Sequence, residues 1–467
     1  MWIFCGNRVV RCSLSVVGLL GAMVFWACGG DSGGKRQGEK AAVLEVQSES
    51  SETEFCRNLW LGKRFGESVV EIRSIVGRDT LIKRFVLRPR GAVLGDSSKK
   101  ATEGALPEAL RGSTVLRVPL ERVVALSSAQ VGYMLRLGLR DRIVGVGEGK
   151  YLVDSALYAQ VASGLVAEVG NGPSLSLEKI VALSPGLVMD FATGGGLDDY
   201  ERVNALGLPL MLTSEWQEQT PLAKAEWIKL YGKLFGVEAL ADSIFEQSKD
   251  AYLKASNGGV AGVSPAREGS GPSAGSGTFV TEPTKESEGD SSPNKPEVEI
   301  ASAQDDSLSS LASRLSSKPC PRVLAGMSYG GVWHAPGGNS LTATLIRDAG
   351  GCYLWASDTS RELRFTLEEI IAIADSADLW VNPGMFSTPE ELLMAEPRIK
   401  YIRAFREKRV YQNDGRKGPG GGNDFFESAV AFPAELLQNL RSCIQDATNG
   451  ADSVQKEFDW YHNIFIF

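Results

Sequence analysis

Between residues 55 and 118 apolar and polar positions alternate. Ser68-Val69-Val70-Glu71-Ile72-Arg73 and Leu81-Ile82-Lys83-Arg84-Phe85-Val86-Leu87 have the period of two that half-buried strands need, and they predict a small antiparallel β extension. From Arg122 the period changes. Short apolar runs, Val123-Val124-Ala125-Leu126 and Arg142-Ile143-Val144-Gly145-Val146, alternate with helical stretches such as 129–137, which argues for a parallel sheet covered by helices. Over 221–255, Trp227, Leu230, Tyr231 and Leu234 keep helical spacing and predict one long, stiff connecting helix. Residues 256–318 collapse into Gly, Ser, Pro, Glu, Lys and Asp with a single aromatic, Phe279. Such a segment cannot offset its ordering entropy by burial, so it is expected to be a disordered insert. Strand-helix alternation resumes after Pro321.

The second half echoes the first. Arg122-Val123-Val124-Ala125 opens one run of alternation and Arg322-Val323-Leu324-Ala325 opens the other. Leu175-Ser176-Leu177-Glu178-Lys179-Ile180-Val181-Ala182-Leu183 is matched by Phe365-Thr366-Leu367-Glu368-Glu369-Ile370-Ile371-Ala372-Ile373, each followed by an apolar strand. Any Ser- or Thr-capped helix before a strand gives part of this pattern. Agreement in both pattern and order predicts two lobes related by internal pseudosymmetry.

The N-terminus changes the setting. Arg8 and Arg11 precede an uncharged run from Cys12 to Ala27, and Cys28 follows. Sixteen uncharged residues fall short of the about 20 that span a bilayer, which reads as a cleaved leader. The polar, aromatic-poor stretch after Cys28 has the composition of a flexible tether. Removing residues 1–27, which carry two arginines and no acids, moves the formal charge from -8 to -10, against nucleic acid as a partner. His334 and His462 are the only histidines, and none of the seven cysteines forms a CxxC pair, so a metal site built on clustered imidazoles is not expected. Cys320, Cys352 and Cys443 read as small buried thiols, with pairing in an oxidising compartment as the alternative.

Two glycine-rich stretches mislead. Gly145-Val146-Gly147-Glu148-Gly149-Lys150 lacks the first glycine and the Ser or Thr of a phosphate loop and reads as a strand-end turn. Gly194-Gly195-Gly196 before Asp198-Asp199 reads as a loop whose acids cap the next helix. Three other loops combine rings with a few polar groups, the make-up of a small-molecule site, and the first of them follows a strand C-terminal end, where open α/β sheets bind ligands. They nominate Trp333 and His334, then Trp355, Asp358 and Arg361, then Asn423, Asp424, Phe425 and Phe426 as ligand contacts. Core packing is the competing account of each. Asp424 and Glu427 could also serve as a paired acid and base, but nothing supplies the rest of a catalytic set.

Taken together, Arg122-Val123-Val124-Ala125-Leu126-Ser127, the phrase from Ser176 to Val188, its echo around Glu368 and the Asn423-Asp424-Phe425-Phe426-Glu427 stretch resemble the periplasmic substrate-binding proteins of ABC importers for cobalamin, haem and ferric siderophores, over about 118–255 and 320–445. Lipoproteins of the Bacteroidetes type are the most similar in flavour. The resemblance implies an α/β fold, with two Rossmann-like lobes joined by a single long helix (a class III periplasmic binding protein) and a small N-terminal β extension. The chain then divides into a signal peptide (1–27), tether (28–54), β extension (55–118), N-terminal lobe (119–220), connecting helix (221–255), insert (256–318) and C-terminal lobe (319–467). It also implies no enzymatic activity and no cofactor, the ligand itself carrying iron or cobalt. Glu178 and Glu368 would dock on arginines of an ABC permease that works with its ATPase, and Cys28 would be lipidated. That anchor would be the only membrane contact, holding a monomer in the cell envelope facing the periplasm or the cell surface. The alternative function is a surface lipoprotein that binds a macromolecule and has no transport role.

Overall fold

The computed structural model describes residues 50–90, 106–195, 198, 200–257, 320–449 and 459–466. The leader, Cys28, the tether up to residue 49 and the insert from residue 258 lie outside the described residues.

The first lobe is a five-stranded parallel sheet in the spatial order Ala167–Glu168, Ile143–Val146, Val123–Ala125, Leu187–Asp190 and Leu210–Leu212. Its opening strand is central and buried throughout, which is why that strand reads as an unbroken apolar run. The second lobe repeats the plan. Cys352–Tyr353, Arg322–Ala325, Leu379–Val381 and Val410–Gln412 are parallel, and His462–Asn463 adds an antiparallel edge. In each lobe the opening strand pairs with the strand that follows a capped helix. Ser176 caps Leu177–Leu183 before Leu187–Asp190, and Thr366 caps Leu367–Ala374 before Leu379–Val381. The echo in sequence is therefore an echo in topology.

Between the lobes, 221–255 is helical but not in one piece. Pro221–Glu226 and Ile228–Phe235 turn at Trp227, and Gly236, with φ 71°, ends the second before the 20-residue helix Glu238–Asn257 begins. Glycine occupies that left-handed position without the Cβ clash other residues suffer. The long helix still joins the lobes: Ala241 and Phe245 are buried in the first-lobe core, and Tyr252 in that of the second. Its far end is tied down where the Tyr252 hydroxyl donates to Asp348 at 2.6 Å and Arg441 Nη1 donates to the Ala255 carbonyl at 2.7 Å.

The β extension has three antiparallel strands, Leu59–Arg64, Glu67–Val76 and Asp79–Pro89, as the alternation predicts, and a fourth, Thr114–Val118, that is parallel to the third. One face, with Leu61, Val70, Ile72, Phe85 and Leu116, is buried in the first-lobe core. Buried carboxylates complete the attachment. Glu226 accepts from the backbone N–H groups of Glu54, Phe55 and Cys56, while Glu218 accepts from those of Arg57 and Asn58 and from Trp227 Nε1. Five consecutive donors are thus satisfied by Glu226 at the end of the helix Pro221–Glu226 and by Glu218 in the loop before it, which is what such polar groups require away from water.

Cys320 and Cys352 form a disulfide with Cα atoms 5.6 Å apart, correcting the thiol reading for this pair. Cys443 is a free, fully buried thiol.

Candidate functional site

In the first lobe a cavity of about 190 Å³ opens at the C-terminal ends of the sheet strands. Ser127, Ser128, Glu148, Tyr151, Asn171 and Phe191 line it. Each follows or faces a strand end, which is where the fold places ligand sites. Ser127 sits there because it caps the helix Ser128–Arg136 in a reciprocal capping box with Gln130. Gln130, fully buried, donates to the Asp190 carbonyl and to Thr213 Oγ1, tying that helix to the ends of two strands. Gly147 lets the Asn171 side chain lie close, since a Cβ there would be 2.4 Å from it and would push it aside. Glu148 pairs with Lys150 at 2.5 Å, and with Tyr151 and Phe191 the lining is mixed polar and aromatic.

Sequence reasoning passed over these residues. The stretch 145–150 is a turn, as expected, but it is also a cavity wall. The available signal was its position after a parallel strand, not its motif.

The lobes meet beside this cavity. The backbone of 418–422 lies flat on residues 150–153: a Cβ on Gly418 would come within 2.1 Å of the Leu152 carbonyl oxygen, and one on Gly422 within 2.1 Å of that of Tyr151. Ser128 Oγ donates to the Phe426 carbonyl at 3.3 Å, and Glu427 accepts from the backbone N–H of Val153 and Asp154. A second bridge runs from Arg361 Nη2 to the Gln217 carbonyl at 3.2 Å.

The nominated ligand contacts fare unevenly. Trp333 belongs to a β-hairpin, Met327–Tyr329 with Val332–Pro336, closed by Gly330 and Gly331 at φ 58° and 80°. Its ring is fully buried against Trp380 at 5.2 Å, so it is a core residue and not a pocket wall. On the same hairpin His334 Nδ1 pairs with Glu362 at 2.7 Å, and that contact holds the Glu362 carboxyl below its ordinary range. Trp355 is partly buried and stacks on Phe365 at 5.0 Å. Asp358 accepts from the Ser360 backbone N–H at 2.7 Å and shapes its own loop. Asn423 Oδ1 accepts from the Phe425 N–H at 2.9 Å. Asp424 is fully buried and takes Ser428 Oγ at 2.7 Å and Trp460 Nε1 and Arg416 Nε at 3.0 Å each. Its carboxylate oxygens are taken up by these donors, so it organises the loop. Phe425 packs on the second-lobe core, and Phe426 remains 55% exposed beside the first lobe. Among the described residues, no three His, Cys, Asp or Glu side chains converge on a metal-sized site.

Glu178 and Glu368 each occupy the second position of their helices and are exposed. Neither is a capping residue: the reciprocal box on Thr366 is made by Glu369. Glu178 has no hydrogen bond or ion pair among the described residues, whereas Glu368 pairs with Arg398.

Residues 123–258 match a family model described as periplasmic binding protein. The match covers the first lobe and the helices that follow it. The chain is 25% identical over 342 residues to an uncharacterized lipoprotein of Methanocaldococcus jannaschii, covering 71% of this chain and 66% of that one. It is 29% identical over 105 residues to a vitamin B12-binding protein of Vibrio parahaemolyticus, covering 22% and 36% respectively. The chain thus spans about two thirds of the first curated relative and about a third of the second. Among solved structures it is similar to the periplasmic heme-binding protein of Roseiflexus, at 19% identity and a TM-score of 0.45, with 70% of this chain and 98% of that one covered.

Proposed function

We propose that this chain is a periplasmic binding protein, the envelope receptor of an ABC importer, lipidated at Cys28, that captures a corrinoid, haem or ferric siderophore and releases it to the permease. The observation that carries the reading is the cavity at the first-lobe strand ends, walled by rings and a few polar groups and bordered by the interlobe loop. No step of bond making is required of any residue here. At about 190 Å³ the cavity is below the roughly 300–1,000 Å³ of sites that enclose a drug-sized ligand. A broad chelate would therefore enter it only in part, the remainder lying outside the cavity. The exposed Glu178 and Glu368, one on each lobe, suit docking on permease arginines, where rim charges govern encounter and register.

The test is the absorption spectrum and metal content of protein purified from its native source, followed by tryptophan fluorescence titration with cyanocobalamin, haemin and a ferric hydroxamate. One of the three is expected to quench saturably. A colourless protein that responds to none of them overturns the reading.

A further inference from the structure

The β extension differs in charge from the rest of the molecule. Residues 50–118 hold 13 Lys and Arg against 8 Asp and Glu, in a chain whose total is -8. Its strands present one face to the first-lobe core, and register places the opposite face. Trp60 pairs across from Glu71, Glu71 from Arg84, Arg73 from Ile82, and Arg88 from Arg117. Directly paired residues share a face, so Arg64, Arg73, Arg84, Arg88 and Arg117 all stand on the outer one, where they surround a small cluster in which Val69 and Val86 are buried under Leu106 and Leu110. Its two carboxylates are already occupied: Glu71 by Arg64 at 3.0 Å and Arg84 at 2.6 Å, Glu67 by Arg88 at 2.6 Å.

This face carries a hollow. A cavity of about 230 Å³ is lined by Ser51, Thr53, Arg57, Asn58, Trp60 and Arg73, and also by Glu71, whose carboxylate is held by Arg64 and Arg84. Arg73 is exposed, and its guanidinium has no hydrogen bond or ion pair among the described residues; Arg57 uses only Nη1, on Gln219 at 3.0 Å. Two under-used guanidiniums beside hydroxyls and an amide make a seat for a tetrahedral oxyanion, since the planar fork matches phosphate geometry where an ammonium does not. At one end of the same sheet, the turn joining the first two strands puts Phe65, 58% exposed, at φ 52° ahead of Gly66 at φ 80°. A phenylalanine in left-handed backbone is disfavoured, and asparagine or glycine is the usual occupant. An exposed ring kept at that tip, next to Lys63 and Arg64, has the make-up of an interfacial anchor.

We propose that the arginine face of the β extension, with the cavity between Arg57 and Arg73 as its phosphate seat and Phe65 as its apolar tip, rests on the headgroups of an anionic lipid surface. Charge complementarity and the exposed ring favour lipid over a free anion or an acidic protein.

The test uses residues 29–467, which contain every described element and no acyl anchor, in co-sedimentation with vesicles. Vesicles of equal parts phosphatidylglycerol and phosphatidylcholine should bind the protein, less so as salt rises, and phosphatidylcholine alone should not. Replacing Arg57 and Arg73 together by Ala should weaken binding by about tenfold or more, given the worth of each basic side chain at such a surface. The Arg57→Lys/Arg73→Lys variant should recover only part of that loss. Phe65→Asn, which suits the turn, should reduce vesicle binding while leaving thermal stability equal or higher. Binding to neutral vesicles as strong as to anionic ones overturns the proposal, and so does an unchanged affinity in the Ala variant. Saturable uptake of inorganic phosphate without vesicle binding would reassign the cavity to a free anion, and binding to polyglutamate alone would reassign the face to an acidic protein. Small-molecule ligand affinity is expected to be the same in all variants, so this test and that of transport fail separately.

Discussion

Glu427 of the second lobe accepts a hydrogen bond from the backbone N–H of Val153 in the first, at 3.0 Å, and a companion bond from Asp154 at 3.2 Å. Burial pushes this carboxyl from the ordinary 4.5 up to about 7, helped by the negative charges of Asp424 and Asp154 and opposed by the two N–H donors. A carboxyl raised in the fold favours folding fully below 4.5 and loses that contribution as pH rises through 7. The native protein should therefore lose thermal stability across this window, by up to about 3 kcal/mol. Glu427→Gln, which keeps an acceptor and cannot ionise, should give a flatter profile in scanning calorimetry. Parallel profiles would show that another group titrates.

Gly422→Ala isolates the packing of the two lobes. Its added Cβ would meet the Tyr151 carbonyl oxygen at 2.1 Å, so the lobes must separate or the loop must shift, at a cost of about 1–3 kcal/mol. The neighbouring Gly421, at φ 89°, faces open space. Gly421→Asn should cost much less, because asparagine tolerates left-handed backbone. Melting temperature and the radius of gyration from solution scattering check both.

Trp333→Ala should cost about 3–5 kcal/mol of stability, as removal of a buried indole does. Ligand affinity per folded molecule should be retained. Tyr151→Ala and Asn171→Ala should do the reverse, weakening ligand several-fold with melting temperature near that of the parent. Fluorescence titration beside thermal melts separates the two patterns.

Glu178→Lys together with Glu368→Lys should abolish uptake in cells while ligand affinity and thermal stability stay close to the parent. Glu369→Ala is the contrasting change. It breaks the capping box and should cost about 1 kcal/mol without touching transport.

The lobes, their order and their internal echo were legible because parallel strands buried on both faces and Ser- or Thr-capped helices leave unambiguous local patterns. Ring-bearing loops were not. Trp333 and Phe425 look alike in a linear string, both beside glycines and polar residues, and only the register of the hairpin Met327–Tyr329 with Val332–Pro336 turns Trp333 inward. The role of the glycines at 420 and 422 is not visible in the string either. They permit two backbones to lie against one another, a long-range requirement that no short window contains. Asp424 and Glu427, three residues apart, found unrelated partners for the same reason. The break at Trp227 and Gly236 was partly legible, since a glycine within a helical pattern is a stop signal. The hydrophobic spacing outweighed it.

The grip of Glu218 and Glu226 on residues 54–58 has a mechanical side. Force applied at the N-terminal end of the described chain would not reach either sheet first. After the bond from the Glu52 N–H to the Leu61 carbonyl, it would be borne by five backbone hydrogen bonds and delivered to Glu226, in the helix Pro221–Glu226, and to Glu218 just before that helix. A molecule pulled from that end is loaded at its own joint, so strain arriving there bears on how the two halves are set before it threatens to unravel either of them.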